Sequence, residues 1–394
     1  MNVAAERIRA GVVPVETWNP FSAQGGVFRY VDISSVDREG KCVTGATELA
    51  VAEAPSRARQ VLKADDILVS TVRPNLNAVA MVPNDLDGAV GSTGFTVLRA
   101  NPKRLLPRYL FHWVRTPTFV ANMVQKATGA SYPAVSDRIV LDSQMPLPPL
   151  LEQRRIADIL DKADAIRRKR KEAIALTEQL LRSAFLEMFG DPVTNPKGWP
   201  VRSVADLCES KQYGTAEKAN EKRDGQPVLR MNNLTYSGEI DLTDLKWIPL
   251  RDAEKRKLDL LDGDVLFNRV NSHELVGKTA VWHHGAGYTF AGYLIRLRLS
   301  SDAVGDYVSA AMNMPSMKRV LMNMAKPSIN MANISGSDLA RLSVPVPPVS
   351  AQTHFKEFRR RVHAARGVLG AHSCKAEDLF KSLVSRAFSC GLSA

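Results

Sequence analysis

The 394-residue chain is poor in the features that mark membrane, secreted and metal-stapled proteins. No uninterrupted apolar stretch approaches the ~18 residues needed to cross a bilayer, and no basic run followed by an apolar segment opens the chain. Cysteine is sparse: Cys42, Cys208, Cys374 and Cys390 are scattered with no Cys-x-x-Cys pair. This argues against a disulfide framework or a zinc site and for buried or inert thiols in a reducing compartment. Aromatics make up 7% of the residues and charged residues 24%, the profile of a soluble globular protein of more than one domain. A cytoplasmic protein is expected.

Acidic charge is also in deficit. Lys and Arg number 53 against 41 Asp and Glu, a formal net charge of +12, which favours a polyanionic partner. The excess is spread as +3 over residues 1–149, +2 over 150–189, +2 over 190–346 and +5 over 347–394. A protein that touches a long polyanion in several places fits this better than one with a basic tail. The densest run, Arg167-Arg-Lys-Arg-Lys171, reads either as a solvated helix face or as a row of phosphate contacts.

The chain is written twice. Met145-Pro-Leu-Pro-Pro-Leu-Leu-Glu-Gln153 recurs as Val344-Pro-Val-Pro-Pro-Val-Ser-Ala-Gln352, 199 positions on. Ala64-Asp-Asp-Ile-Leu-Val-Ser70 is answered by Asp262-Gly-Asp-Val-Leu-Phe-Asn268 at an offset of 198, and Ser131-Tyr-Pro-Ala-Val-Ser136 by Ser328-Ile-Asn-Met-Ala-Asn-Ile-Ser335. Three markers in one order at nearly one offset define a tandem repeat. The expected fold class is α+β: two mixed domains over 1–148 and 190–346, each followed by a spacer helix, over 149–189 and 347–394. Expected strands include Phe28–Ile33, Ile67–Thr71, Phe95–Leu98, Val265–Phe267 and Tyr293–Leu299, with one amphipathic helix per domain near 107–125 and 304–323.

After each Pro-Pro, apolar residues recur at alternating steps of three and four, the coiled-coil period. The first seam runs through Ile156, Ile159, Ala163, Ile166 and Leu180, and the second through Phe355, Phe358, Val362, Leu369, Leu379 and Leu383. Equivalent seams in one chain are expected to pack on each other as an antiparallel coiled coil. The alternative is that each helix packs on its own domain.

Base reading needs forked donors and amides on loops that reach a groove edge. Both repeats supply them after the same strand: Ser70, Arg73, Asn75 and Asn77 in the first, Asn268, Arg269, Asn271 and Ser272 in the second; Arg230 and Asn232, in the segment Gln226–Asn233, are further DNA-binding candidates. A second matched pair of polar loops holds Ser131 and Tyr132, and Lys326, Ser328 and Asn330. The competing reading is that these Asn and Ser residues only make the turns. Catalytic signatures are incomplete. Val276-Gly-Lys-Thr279 lacks the first glycine of a phosphate-binding loop, Trp18-Asn-Pro-Phe-Ser22 lacks the second proline of an amino-methyltransferase motif, and Glu209-Ser-Lys211 lacks the Pro-Asp of a nuclease site. His283-His284 has no third ligand at zinc spacing. No metal or catalytic site is expected.

The duplicated Pro-Leu-Pro-Pro-Leu-Leu-Glu-Gln-Arg-Arg-Ile156 block and its long helix, with Asp66-Ile-Leu-Val-Ser70 and Gln226-Pro-Val-Leu-Arg-Met-Asn-Asn233, resemble the specificity subunits of type I restriction-modification systems over essentially the whole chain. The second block departs from the pattern, since Ser350-Ala-Gln-Thr353 lacks the Glu. The resemblance implies two target-recognition domains, each reading half of a split double-stranded DNA site, with the paired helices as ruler. It implies that two methylation subunits and the motor-nuclease restriction subunits dock on the chain, and that S-adenosylmethionine, ATP and magnesium belong to those partners. Two other functions fit a duplicated basic protein: a DNA-guiding adaptor of another defence or repair system, and a protein-binding scaffold.

Overall fold

A computed structural model describes residues 5–20, 25–328 and 331–389. The chain forms two compact units that divide the long helices between them: residues 1–172 with 371–394, and residues 173–370. Each unit thus holds one mixed domain plus a piece of both helices.

In the first unit a six-stranded sheet runs in the order Val12–Val13, Phe95–Ala100, Ile67–Ser70, Val79–Met81, Cys42–Val43, Val36–Asp37. A four-stranded sheet contains Val27–Val31 paired parallel to Val90–Ser92. The second unit repeats the central theme: Leu294–Leu299, Val265–Asn268 and Thr279–Val281 are antiparallel neighbours, and Gln226–Leu229 pairs parallel with Thr289–Phe290. Ile67, Leu68, Val265 and Leu266 are fully buried, as expected for apolar runs in the middle of a sheet.

The repeat persists at atomic scale. Asp66 and Asp264 are buried and bind Arg99 and Arg298 through both carboxylate oxygens, at 2.8–2.9 Å in each case. Each carboxylate also accepts the backbone N–H three residues upstream, closing a turn whose middle residue, Asp65 or Gly263, is left-handed. Glycine adopts that conformation without strain, whereas Asp65 needs the surrounding hydrogen bonds to hold it.

Where one amphipathic helix per domain was expected, there are two: Pro107–Trp113 and Pro117–Lys126, then Gly305–Asn313 and Pro315–Met324. Pro117 and Pro315 cause the break, since proline has no N–H for the preceding turn yet suits the first position of a new helix. Cys42 and Cys374 are exposed rather than buried; among the described residues only Cys208 is partly enclosed, and burial pushes its thiol up to about 11, while Cys390 lies outside the described residues.

The long helices are Leu150–Phe189 and Val349–Ser389, of 40 and 41 residues, each about 60 Å at 1.5 Å per residue. They pair antiparallel within each unit. In the first, Ile156 and Leu160 share a core with Val384 and Ala387, and Arg167 meets Glu377 at 3.3 Å. In the second, the Phe185 and Phe355 rings are 5.5 Å apart and Glu178 meets Arg366 at 3.2 Å.

The expected seam needs correction. Ile156, Phe355 and Val362 are buried, and Ile159, Ala163, Phe358, Leu369 and Leu383 are half-buried, but Ile166, Leu180 and Leu379 are exposed. Burial concentrates near the helix ends, at Leu160, Phe185, Phe189, Val384 and Ala387, because there each helix is covered by a domain as well as by its partner. Two helices alone cover only a narrow stripe. Both readings of the helices therefore hold at once.

Candidate nucleic-acid interface

A buried amide docks each domain on the long helix that follows it. Gln153 accepts from Leu106 N at 2.9 Å and donates to Arg104 O and Pro148 O at 2.8 Å. Gln352 does the same with Val304 N, Asp302 O and Pro347 O at 2.8, 3.2 and 2.8 Å. Beside it the Tyr109 and Tyr307 hydroxyls donate to Pro146 O and Pro345 O. The Gln of the repeated Pro-Pro block is thus a latch, and the Glu missing from the second block is not part of it.

In the first unit, a cleft of about 330 Å³ lies beside the end of Ile67–Ser70 and brings together Ser70, Arg73 and Tyr132. Arg73 is left-handed, exposed, and lies over the Tyr132 ring at 4.6 Å. Ser70 is buried and donates to Val72 O, so it shapes the turn. Asn75 is exposed; Asn77 is half-buried, left-handed, and its side chain reaches Arg115 O at 3.4 Å. Ser131 is exposed next to Tyr132.

The second unit has a larger cleft at the equivalent place, about 610 Å³, which gathers Arg230, Asn232, Arg269 and Tyr293. Arg269 lies over the Tyr213 ring at 5.1 Å, and Tyr213 in turn accepts Gly336 N at 2.8 Å. Arg230 is held by Asp244 at 2.8 Å, and exposed Asn232 stands beside Asn233, whose buried amide organises the loop through Arg230, Asp241 and Asp244. Asn268 and Asn271 do not face a ligand: both are buried and bonded to each other at 2.8 Å, with Asn268 also donating to Val270 O and Tyr293 O. A sheet of Val270–Asn271, Met331–Asn333 and Lys326–Ser328 knits the two polar loops together. Ser272 is half-buried at its edge, Lys326 is exposed 3.9 Å from Asp338, and Asn330 lies outside the described residues.

The two arginines do not occupy equivalent positions. Val135 N binds Thr71 O where Ile334 N binds Arg269 O, so Arg269 matches Thr71 and Arg73 matches Asn271. Among the described residues neither Arg73 nor Arg269 forms an ion pair, so each keeps its charge for an acceptor such as a guanine edge or a phosphate. The sequence reading missed Tyr213, Tyr293, Lys218 and Lys246, which also line or flank the second cleft. The two tyrosines had one signal, an aromatic at a strand end, and the two lysines had none.

The incomplete catalytic motifs have structural roles. The buried Lys278 ammonium binds Met231 O and Leu234 O instead of cradling phosphate, and Lys211 binds Gly336 O. His283 is hydrogen-bonded to Asp262 and Asp306. No group of three or more His, Cys, Asp or Glu placed to hold a metal ion exists among the described residues. No helix among them is long and apolar enough to cross a membrane.

Residues 26–176 match the family model of the type I restriction modification DNA specificity domain. A chain from a solved structure concerning complex assembly and conformational transition of the type I R-M system superposes with a TM-score of 0.61 at 26% identity, covering 99% of this chain and 98% of the other. This chain is similar to the specificity subunits of type I restriction-modification systems. The type I restriction enzyme EcoKI specificity subunit of Escherichia coli K12 is 26% identical over 315 residues, 74% of this chain and 67% of that relative. The HindI specificity subunit of Haemophilus influenzae is 28% identical over 143 residues, where the chain spans 31% of the relative's length. In a specificity subunit the recognition surface is the functional site, and the two arginine-bearing clefts are the candidates for it.

Proposed function

We propose that each unit reads one half of a split double-stranded DNA target, with the loops around Arg73 and Tyr132 at one half-site and those around Arg230, Asn232 and Arg269 at the other. The reading is carried by one observation: two un-neutralised arginines, each laid on a tyrosine ring, follow the same strand of a duplicated scaffold yet sit at different repeat positions. A common frame with different reading groups suits two different sequences. The chain would direct adenine methylation and cleavage that partner methylation and restriction subunits perform, with S-adenosylmethionine, ATP and magnesium on those partners. The long helices would set the gap between half-sites. A four-residue insertion in both, about 6 Å or close to two base pairs, is then expected to lengthen the tolerated gap.

The deciding experiment is single-molecule methylation sequencing of host DNA with and without the gene, the partner genes being expressed. Loss of a two-part methyl-adenine motif on deletion is the expected result. An unchanged methylome favours an adaptor of another system or a scaffold.

A further inference from the structure

A second, larger cleft in the first unit is unused by this reading. Its volume is about 660 Å³, in the range of small-molecule sites. One wall is apolar, made by Trp113, Phe380, Val384 and Phe388, with the Trp113 and Phe388 rings 5.3 Å apart edge to face. Its mouth is cationic. Arg38, Lys41, Lys171 and Lys381 surround it, and Arg115 and Arg167 lie over the Phe380 ring.

The carboxylates present do not balance these cations. Asp164 is shared by Arg115, Arg167 and Arg168, Glu377 by Arg167 and Lys381, and Glu39 takes Lys171. Arg38 and Lys41 form no ion pair among the described residues; the Lys41 ammonium reaches only Asn77 O, and burial with Arg115 and Arg167 nearby pushes it down to about 8. Two buried ring nitrogens of the lining, His112 Nδ1 and Trp113 Nε1, have no hydrogen-bond partner, although His112 and Trp113 are 2% and 6% exposed.

We propose that this cleft binds a phosphorylated nucleoside, its ring against the Trp113 and Phe388 wall and its phosphates at the Arg38 and Lys41 mouth. An inorganic anion would leave the apolar wall bare, and the backbone of a duplex would reach the mouth without entering. The site shares only Arg38 with the reading cleft around Arg73, so it stands or falls apart from DNA recognition.

The test is calorimetric titration of the full chain with ATP, adenosine and tripolyphosphate. ATP is expected to saturate and to bind at least tenfold more tightly than either part. Lys41→Gln should weaken ATP and tripolyphosphate about tenfold and leave adenosine unchanged. Ser385→Trp, a bulky group placed from an exposed helix position that lines the cleft, should abolish ATP binding without moving the melting temperature. A single-stranded oligonucleotide that outbinds ATP, with the same sensitivity to both variants, would identify the nucleotide's source as nucleic acid. Failure of ATP to saturate, equal affinity for ATP and tripolyphosphate, or normal binding by Ser385→Trp would each overturn the proposal.

Discussion

The two units share what docks a domain on its helix and differ in what their clefts present. The Gln153 and Gln352 latches, the Tyr109 and Tyr307 hydroxyls and the pairing of buried Asp66 with Arg99 and of buried Asp264 with Arg298 are near copies. One docking contact is inverted. Arg108 of the first domain binds Asp158 and Asp161 of the first long helix, whereas at the matching place Asp306 binds Arg359 of the second, one helix position out of register. Burial differs as sharply as sign: the Arg108 and Asp161 side chains are 46% and 36% exposed, those of Asp306 and Arg359 7% and 9%. Duplicated surfaces with opposite charge cannot exchange partners without a like-charge contact, so each domain is specified for its own helix.

The largest effect should come from breaking the buried member of that pair. Asp306→Ala leaves the Arg359 guanidinium buried and is expected to destabilise the second unit by about 3–5 kcal/mol, while Arg108→Ala, at a solvated pair, should change stability by less than about 1 kcal/mol. Urea unfolding of the two variants tests this directly, and equal losses would show that burial does not distinguish the sites. Next come the latches. Gln153→Ala and Gln352→Ala each strip partners from three backbone groups, and a loss of about 2–4 kcal/mol is expected in either unit. A markedly smaller loss for Gln352→Ala would mean that the repeat's second block has drifted in function as well as in sequence.

Replacement of the reading arginines should have smaller, sequence-dependent consequences. Arg269→Ala is expected to relax one position of one half-site and Arg73→Ala one position of the other, each by about 1–3 kcal/mol in binding measured against a panel of single-base variants. Uniform weakening over the panel would make either arginine a phosphate contact. Arg230→Ala should do less to specificity, because Asp244 already engages that guanidinium.

These comparisons also explain how far the sequence could be read. The repeat, the mixed domains and the antiparallel helices were legible because periodicity and proline placement report backbone geometry, and Gln153 and Gln352 fell inside a marker that recurs. The seam was half legible: Ile156 and Phe355 obey the heptad, but Ile166 and Leu379 do not, since domain cover, invisible in a helix's own period, decides which face is buried. Among the proposed reading residues, Asn268 and Asn271 illustrate the limit. An Asn on a loop has the same chemistry whether it reads a base or holds a turn, and only their mutual hydrogen bond separates the two. Tyr213 and Tyr293 could not be assigned in advance, because residues far apart in sequence place them beside Arg269.

The smallest predicted difference lies in the histidines at the two docking surfaces. In the second unit, hydrogen bonding to Asp306 outweighs burial and holds His283 above its ordinary value. A group raised on folding stabilises the fold below its ordinary pKa, and that contribution is lost as pH rises through the folded value. In the first unit, burial outweighs the Asp161 contact and holds His112 below its ordinary value. Neutral His112 is then the favoured form, so its contribution is lost as pH falls from the ordinary value toward the folded one. His283→Gln should therefore be most destabilising near pH ~5.5 and lose its effect toward pH ~9, and His112→Gln should show the reverse trend. Urea unfolding of each variant against the parent chain at both pH values reads the two slopes. Slopes of the same sign would mean that the inverted charges at Arg108 and Asp306 leave the two histidines in electrostatically similar surroundings.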